Sequence, residues 1–411
     1  MMKILKIMAI LGAILCALNA AVGGGANVFS NIPPAKIEII NLNPESCSKS
    51  CLKDLAKKKK IFSFMARFDK KIDDEDLQYV MVAFSKKIGI YYKVRFDLLE
   101  DKLEVALLMP KKTIGKYSTT TIDTILAYLA FRDIDFRFKV FDSIDENPAN
   151  LAKALDLLTR EKFNFVIAVL SKEESLDVLQ NLNLPTYIPT LKKPTNWSGK
   201  DNIIFGGIDY DAQIALLLKE ANKNTLLAYN DDSALGAMIG KSLEAQVAQN
   251  GKFNFIQEIV TNKDAANFSA NLSKRRTSIA NGNVFLNTRI IISGLLLSQI
   301  GLLRQMPSKI FSTQVNYNPA ILSLLRGINT RNLVIANSIG RADSRLIEYG
   351  SLLSADMKYD WVNYSTALGV DLFLNKMKDD IRRYFSEDLE DAHIAYKTQL
   401  YGINNGAFVR Y

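Results

Sequence analysis

Apolar and polar positions along residues 102–411 repeat with two periods. Leu103 to Met109 is an apolar run rich in Val and Leu, and Pro110 stops it. The loop KKTIGKYS then carries Gly115 and ends in Ser118, with Thr119 next; the side-chain oxygens of both can satisfy free N–H groups at a helix start. Ile122, Ile125, Leu126 and Leu129 follow at helical spacing, and Ile134 to Val140 alternates apolar with charged residues. This is a strand, loop, helix and strand, a βαβ unit in which the loop after the first strand opens onto a ligand crevice.

The same alternation continues down the chain. Strands are expected at Phe163 to Leu170, Thr186 to Leu191, Asn202 to Gly206, Thr225 to Tyr229, Phe253 to Val260, Asn283 to Leu286, Lys309 to Thr313 and Leu333 to Ala336. Between them, helices are expected at Asn150 to Arg160, Glu173 to Leu182, Asp211 to Ala221, Ala234 to Ala248, Ala265 to Lys274, Ile290 to Leu303, Pro319 to Leu325 and Ser344 to Leu353. Strands alternating with helices of this length predict mainly parallel sheets covered by helices on both faces. There are too many strands for one small sheet, and 411 residues exceed one compact core. Two α/β lobes are expected.

Residues 1–101 read differently. Lys3 and Lys6 precede the apolar stretch Ile7 to Leu18, so residues 1–26 are expected to be an export signal, with an uncleaved anchor as the alternative. A large residue, Leu15, before Cys16 argues against a lipoprotein site. The export signal places the mature protein in the periplasm, on the membrane only if the signal is retained. Residues 27–101 are expected to form a small α+β appendage: a strand-like KIEII, the CSKSC turn, a basic helix ending in Lys57 to Lys60, IFSFMARF, and a second alternating run, MVAFSKKIGIYYKVRF. The lysine run is either a solvated helix end or a contact for an anionic surface. Cys47 and Cys51 form a close pair in an oxidising compartment, so a disulfide staple is expected.

Composition narrows the function classes. Apolar residues at 48% and charged residues at 23% are the balance of a folded chain. The net charge of +9 comes from 52 basic residues scattered among 43 acids, without the basic stripe that nucleic-acid binding requires. His393 is the single histidine, read as a helix-surface residue, so a Ser-His-Asp triad and a multi-histidine metal site are both disfavoured. Asp231 and Asp232 are sequence neighbours and cannot face each other across a substrate. GKS at Gly240 to Ser242 falls inside a predicted helix, the wrong context for a phosphate cradle. No enzyme, cofactor or metal is expected.

From Asn224 the chain resembles a family. NTLLAYNDDSALGAMIGKSLEAQVAQNGKFNFIQEIVTNKDAANFSANLSKRR is similar to the second-lobe opening of type I periplasmic solute-binding proteins, the leucine/branched-chain amino-acid receptor group. GGIDYDAQIALLL resembles that family's first crossing between lobes, STALGVDLFL its late helix, and QLYGINNGAFVRY its closing strand, glycine turn and strand. The resemblance implies a two-lobed fold with three crossings, residues 102–207 with 331–390 in one lobe and 208–330 with 391–411 in the other. It places a cleft at the C-terminal ends of the strands, lined by Tyr117, Ser118, Ser171, Thr190 and Tyr210 at the first lobe and crossing, and by Asp232, Ser233, Asn287, Gln314 and Tyr317 from the second lobe. Each of these also reads as a helix cap or turn residue.

The chain departs from the amino-acid receptors in having Leu235 before Gly236, where they have an aromatic residue, and in lacking an acid near Gln314 to receive an ammonium group. A buried cation without a counter-charge costs several kcal/mol, which points to a neutral or anionic solute. The function implied is reception of a small solute for a membrane transporter or sensor. The alternative is an envelope interaction protein, because Ala367 to Asp371 also resembles the binding-protein-like domain of outer-membrane lipoproteins that activate peptidoglycan synthases.

One prediction follows from the cysteines alone. Alkylation of the exported protein without reductant should add no mass, and uptake of two alkyl groups would show that Cys47 and Cys51 are free.

Overall fold

The protein is described here by a computed structural model covering residues 47–69, 72, 74–87, 102–132, 134–265, 268–377 and 382–411. The export signal, the KIEII strand and the part of the alternating run from residue 88 onward lie outside the described residues. The chain divides into two units between Leu98 and Leu99.

Among the described residues the first unit is helical. Helices α1 (Lys49–Lys57), α2 (Ile61–Arg67) and α3 (Glu75–Lys87) enclose Leu52, Phe64, Met65, Leu77, Met81 and Phe84. Ser48 caps α1 through the Cys51 amide at 3.3 Å, and the Cys47–Cys51 disulfide closes the same turn. IFSFMAR lies in α2, and MVAFSKK, the start of the second alternating run, lies in α3. The alternation in those short windows hid a stripe in which Leu77, Met81 and Phe84 recur at helical spacing and all point inward.

The second unit carries two seven-stranded sheets. Strands β1 (Leu103–Met109), β2 (Phe136–Asp142), β3 (Phe165–Ala168), β4 (Thr186–Ile188) and β5 (Ile203–Phe205) build one; β6 (Thr225–Asp231), β7 (Asn254–Val260), β8 (Gly282–Asn287), β9 (Lys309–Ser312) and β10 (Leu333–Asn337) build the other. Helices α4 (Tyr117–Arg132), α5 (Pro148–Thr159), α6 (Tyr210–Lys219), α7 (Ala234–Asn250), α8 (Ile290–Ile300), α9 (Ser344–Leu352) and α10 (Trp361–Met377) are the longer connections. The last strands are β11 (Asp388–Glu390), β12 (His393–Ala395), β13 (Gln399–Asn404) and β14 (Ala407–Arg410).

Read from one edge, the first sheet is β2-β1-β3-β4-β5-β12-β11 and the second is β7-β6-β8-β9-β10-β13-β14. The five leading strands of each are parallel, and β11, β13 and β14 are antiparallel additions. Chain order reverses between β1 and β3 and again between β6 and β8, the topological switch points at which open parallel sheets take ligands.

Strand periodicity sorts the core into layers. In the second sheet Leu226, Ala228, Phe285, Phe311 and Val334 meet Ile214 and Leu217 of α6 and Ile239 and Leu243 of α7. Their chain neighbours Leu227, Tyr229, Val284, Leu286 and Ile335 face the other way, onto Ile292, Leu296 and Ile300 of α8. Both faces are therefore covered, which is why these strands are almost wholly apolar. On the first sheet Gly369 lets α10 pack against β4, since a Cβ there would stand 2.2 Å from the Tyr187 ring.

Each sheet draws strands from separated stretches, 103–205 with 388–395 and 225–337 with 399–410. Leu333–Asn337, expected on the first lobe, is β10 of the second sheet, and His393–Ala395, expected on the second, is β12 of the first. An apolar run records that a strand is buried but not which sheet buries it. His393 lies on β12 and not on a helix surface, because Asp391 and Ala392 adopt left-handed conformations and turn the chain into a hairpin with β11.

Asp371 of α10 ties two helices and a loop together. The carboxylate is 0% exposed and accepts from Tyr128 Oη at 2.6 Å, Arg132 Nη2 at 2.9 Å, Arg383 Nε at 3.3 Å and the Tyr384 amide at 2.9 Å. Asp371→Ala should lower the unfolding free energy by about 3–5 kcal/mol in urea titration, because it strands the guanidinium of Arg132. Asp156→Ala, which removes an exposed pair with Arg160, should cost less than about 1 kcal/mol. Equal losses for the two would refute this account.

Candidate interlobe site at the crossings

Three segments pass between the sheets: 206–209 after β5, the stretch after β10, and 396–398 between β12 and β13. They are bound to one another by side chains. The Gly206 carbonyl accepts from Ser365 Oγ at 2.8 Å and Tyr396 Oη at 2.6 Å, and Tyr187 Oη lies 3.1 Å from Ser365 Oγ. A Cβ at position 206 would meet Tyr187 Oη at 2.0 Å, so glycine is required by the crowding. Burial pushes the Tyr187 and Tyr396 hydroxyls well above the usual phenol range, which keeps both neutral.

A second set of bonds joins the other passes. Gln213 Nε2 donates to Gln314 Oε1 and to Ser338 Oγ, each at 2.7 Å, and Ser338 Oγ lies 2.8 Å from Thr398 Oγ1. Tyr364 Oη donates to Glu387 Oε1 beside Gly340, while Glu387 Oε2 is buried without a partner among the described residues. Burial raises the Glu387 carboxyl above the ordinary range, only partly offset by the Tyr364 hydrogen bond and the Arg383 charge.

Tyr210 opens α6 directly after the first crossing. Asp209 caps that helix through the Ala212 amide at 2.9 Å, which fixes where the tyrosine starts. Tyr210 is 8% exposed, and its hydroxyl is buried with no hydrogen-bond partner among the described residues. Tyr117, at the start of α4, and Asp360, before α10, lie close enough for their charges to act on it. Burial raises both tyrosine hydroxyls, and Asp360 adds to each shift. Asp360 accepts from the Val362 amide at 2.9 Å and the Asn363 amide at 3.1 Å. Burial and the neighbouring Asp356 nevertheless raise its own carboxyl, against the two amides and Lys116. The result is two phenolic donors and one carboxyl acceptor gathered from three separated stretches.

The other expected contacts serve the chain itself. Ser118 Oγ donates to Gly115 O at 2.7 Å. Ser171 gives its amide to the buried Glu146 at 3.0 Å and its hydroxyl to the same carboxylate, and Thr190 Oγ1 accepts from the Leu170 amide at 3.0 Å. Asp232 pairs with Arg289 at 2.7 Å, and Ser233 caps α7 through the Gly236 amide at 3.0 Å. Asn287 Nδ2 donates to Asn230 Oδ1 at 2.8 Å while its own Oδ1 lacks a partner, and Gln314 Nε2 is likewise buried and unpartnered. Tyr317 stacks with Phe408, Tyr401 and Tyr359 at centroid distances of 4.4, 4.9 and 5.6 Å. Of the ten expected residues, Tyr210, Asn287 and Gln314 each keep a buried polar atom without a partner among the described residues, and Tyr117 lies near enough to Tyr210 to act on it electrostatically.

Three residues of this region escaped the sequence reading. Asp360 carries a cap signature before the helical run WVNYSTALGV, but nothing in that local pattern ties it to Tyr210. Arg289 donates from its amide and guanidinium to Asp231 at 2.6 and 3.0 Å, and Gln213 sits mid-helix, where an amphipathic pattern marks it only as inward.

No family model matches the sequence, and no curated protein matches it. Solved structures do match. A protein of Rhodospirillum rubrum described as a branched-chain amino acid ABC transporter aligns over 76% of this chain and 100% of its own, at 11% identity and a TM-score of 0.57. The branched-chain amino acid transporter substrate-binding protein of Streptococcus pneumoniae, solved with isoleucine, aligns over 75% and 98%, at 12% identity and a TM-score of 0.54. An amino acid ABC transporter substrate-binding protein of Pseudomonas fluorescens aligns over 74% and 90%, at 11% identity and a TM-score of 0.52. The fold of this chain is the two-lobed type I periplasmic-binding-protein fold. Among the described residues no helix is long and apolar enough to cross a membrane, and no cluster of three or more His, Cys, Asp or Glu is placed to hold a metal.

The pH dependence of stability tests the Glu387 environment. A carboxyl whose pKa is raised on folding binds its proton more tightly in the folded state. Its contribution therefore grows as pH falls from neutral through the raised value and levels off below the ordinary value of about 4.3. The stability of wild type relative to Glu387→Gln should rise as pH falls from 7 to about 4 in urea unfolding; a flat or opposite difference would contradict the burial of this group.

Proposed function

We propose that this chain is an exported, non-enzymatic receptor that holds a small neutral polar solute at the crossings and presents the closed form to a membrane transporter or sensor. The observation that carries the reading is the Tyr210 hydroxyl, buried and unpartnered at the junction of the two sheets. An unsatisfied buried hydroxyl costs about 1–3 kcal/mol, which a ligand acceptor would relieve. Tyr117 supplies a second hydroxyl there, and Asp360 supplies an acceptor for a solute O–H or N–H. An anion is disfavoured beside Asp360. A cation fares little better, since two amides already use this carboxyl and burial raises its pKa. The amino-acid receptors that share the fold fit the class of solute receptor, and the single histidine of this chain gives no support to hydrolytic chemistry. Domain closure about linking segments is the general way such two-lobed proteins capture ligands.

A thermal-shift screen of the mature protein against sugars, polyols, amides, organic acids, amino acids and short peptides tests this. A solute at 100 times its Kd should add about 2.7 kcal/mol of stability. Tyr210→Phe should leave the unliganded protein as stable as wild type or slightly more so, and should weaken the solute by about 1–3 kcal/mol. If no solute moves the melting temperature while capture from envelope extract returns a stable protein partner, the receptor reading fails and the fold serves protein interaction.

A further inference from the structure

The helical unit of residues 47–87 holds eleven Lys or Arg against six Asp or Glu, while the whole chain has 52 against 43. More than half of the excess positive charge thus sits in a tenth of the residues. Its densest part is the turn from α1 to α2. Lys57, Lys58, Lys59 and Lys60 are all exposed, and Lys59 takes a left-handed conformation that folds the run into a tight corner. Lys58 pairs with Asp54 at 2.7 Å, whereas Lys57, Lys59 and Lys60 form no ion pair among the described residues. Immediately after the corner Phe62 stands 64% exposed, next to the buried Phe64 and Met65. On α3, Tyr79 and Val82, one turn apart, are 75% and 41% exposed.

Basic residues at the end of a helix interact favourably with its dipole, but that effect reaches only the last turn and says nothing about an exposed phenylalanine. A singly exposed apolar side chain is ordinary. An exposed aromatic directly after a run of unpaired lysines is the combination that interfacial segments use, because lipid headgroups take the charges while the acyl boundary takes the ring. A soluble polyanion would engage the lysines and leave Phe62 in water.

We propose that this unit is a docking surface for an anionic phospholipid bilayer, with Lys57, Lys59 and Lys60 against headgroup phosphates and Phe62 at the acyl boundary. The surface is independent of the solute reading, and its failure would leave that reading untouched.

The test uses the full chain from residue 27, incubated with vesicles of phosphatidylcholine alone or mixed with phosphatidylglycerol and then sedimented. Binding should be strong only with phosphatidylglycerol and should weaken as salt is raised. The triple variant K57Q/K59Q/K60Q should bind at least about tenfold more weakly. Phe62→Ser should weaken binding severalfold at low and high salt alike, and Lys219→Gln, an exposed charge elsewhere, should change nothing. All these positions are exposed, and matched thermal unfolding curves would confirm that the variants fold. Equal binding to both vesicle types, or triple-variant binding equal to wild type, would overturn the proposal. So would retention on heparin that is indifferent to Phe62→Ser, combined with no vesicle binding.

Discussion

Two of the crossings in the two-lobed unit meet at one backbone carbonyl. Gly206 follows β5 and begins the first crossing, and its oxygen accepts from Ser365 of α10 and Tyr396 of the last crossing. Two of the three passes between the sheets, and the long helix that follows the remaining one, are thereby fixed to a single backbone atom. The position tolerates no side chain, because Tyr187 and Ser365 fill the space a Cβ would need. A hydrogen bond in such a buried setting contributes modestly when made and costs its full desolvation when broken. The junction therefore ties the first crossing, the last crossing and α10 to one another.

The sheets make that arrangement economical. Each has the same strand order, with parallel strands covered on both faces and antiparallel strands added at the far edge. Because the passes between sheets follow β5, β10 and β12, the crossings lie close to the strand ends at which parallel sheets expose their loops. Polar groups collect there for a physical reason: the chain leaves regular structure and its amides need partners. Most find them within the chain, as Ser118, Ser171, Thr190 and Ser233 do. Tyr210, Asn287 and Gln314 keep an atom unsatisfied, and Tyr210 does so beside a second tyrosine and a half-buried acid.

The architecture was largely legible because burial on both faces leaves a strong trace. Runs such as Leu103 to Met109 and Thr225 to Tyr229 admit few readings besides central strands, and the caps at Ser233 and Asp209 mark where helices begin. What local pattern could not carry was partnership at long range. Leu333–Asn337 reads the same whichever sheet receives it, and His393 sits among acids that suit a helix as well as a hairpin. The helical nature of Met81 was hidden by alternation over too few residues. Site residues were harder still. Cap chemistry and ligand chemistry call for the same serines and threonines, so only the fold separates the occupied hydroxyls from the open ones. Asp360 was invisible as a neighbour of Tyr210 because their proximity is set by the crossing, not by spacing.

The most direct test of the central claim is a high-resolution crystal structure of the protein purified with its natural solute. The account predicts density for a small molecule at the crossings with a polar atom within hydrogen-bond distance of Tyr210 Oη, contacting Tyr117 or Asp360 as well. An empty cleft in which Tyr210 Oη is bonded within the chain, or a solute held elsewhere, would contradict it.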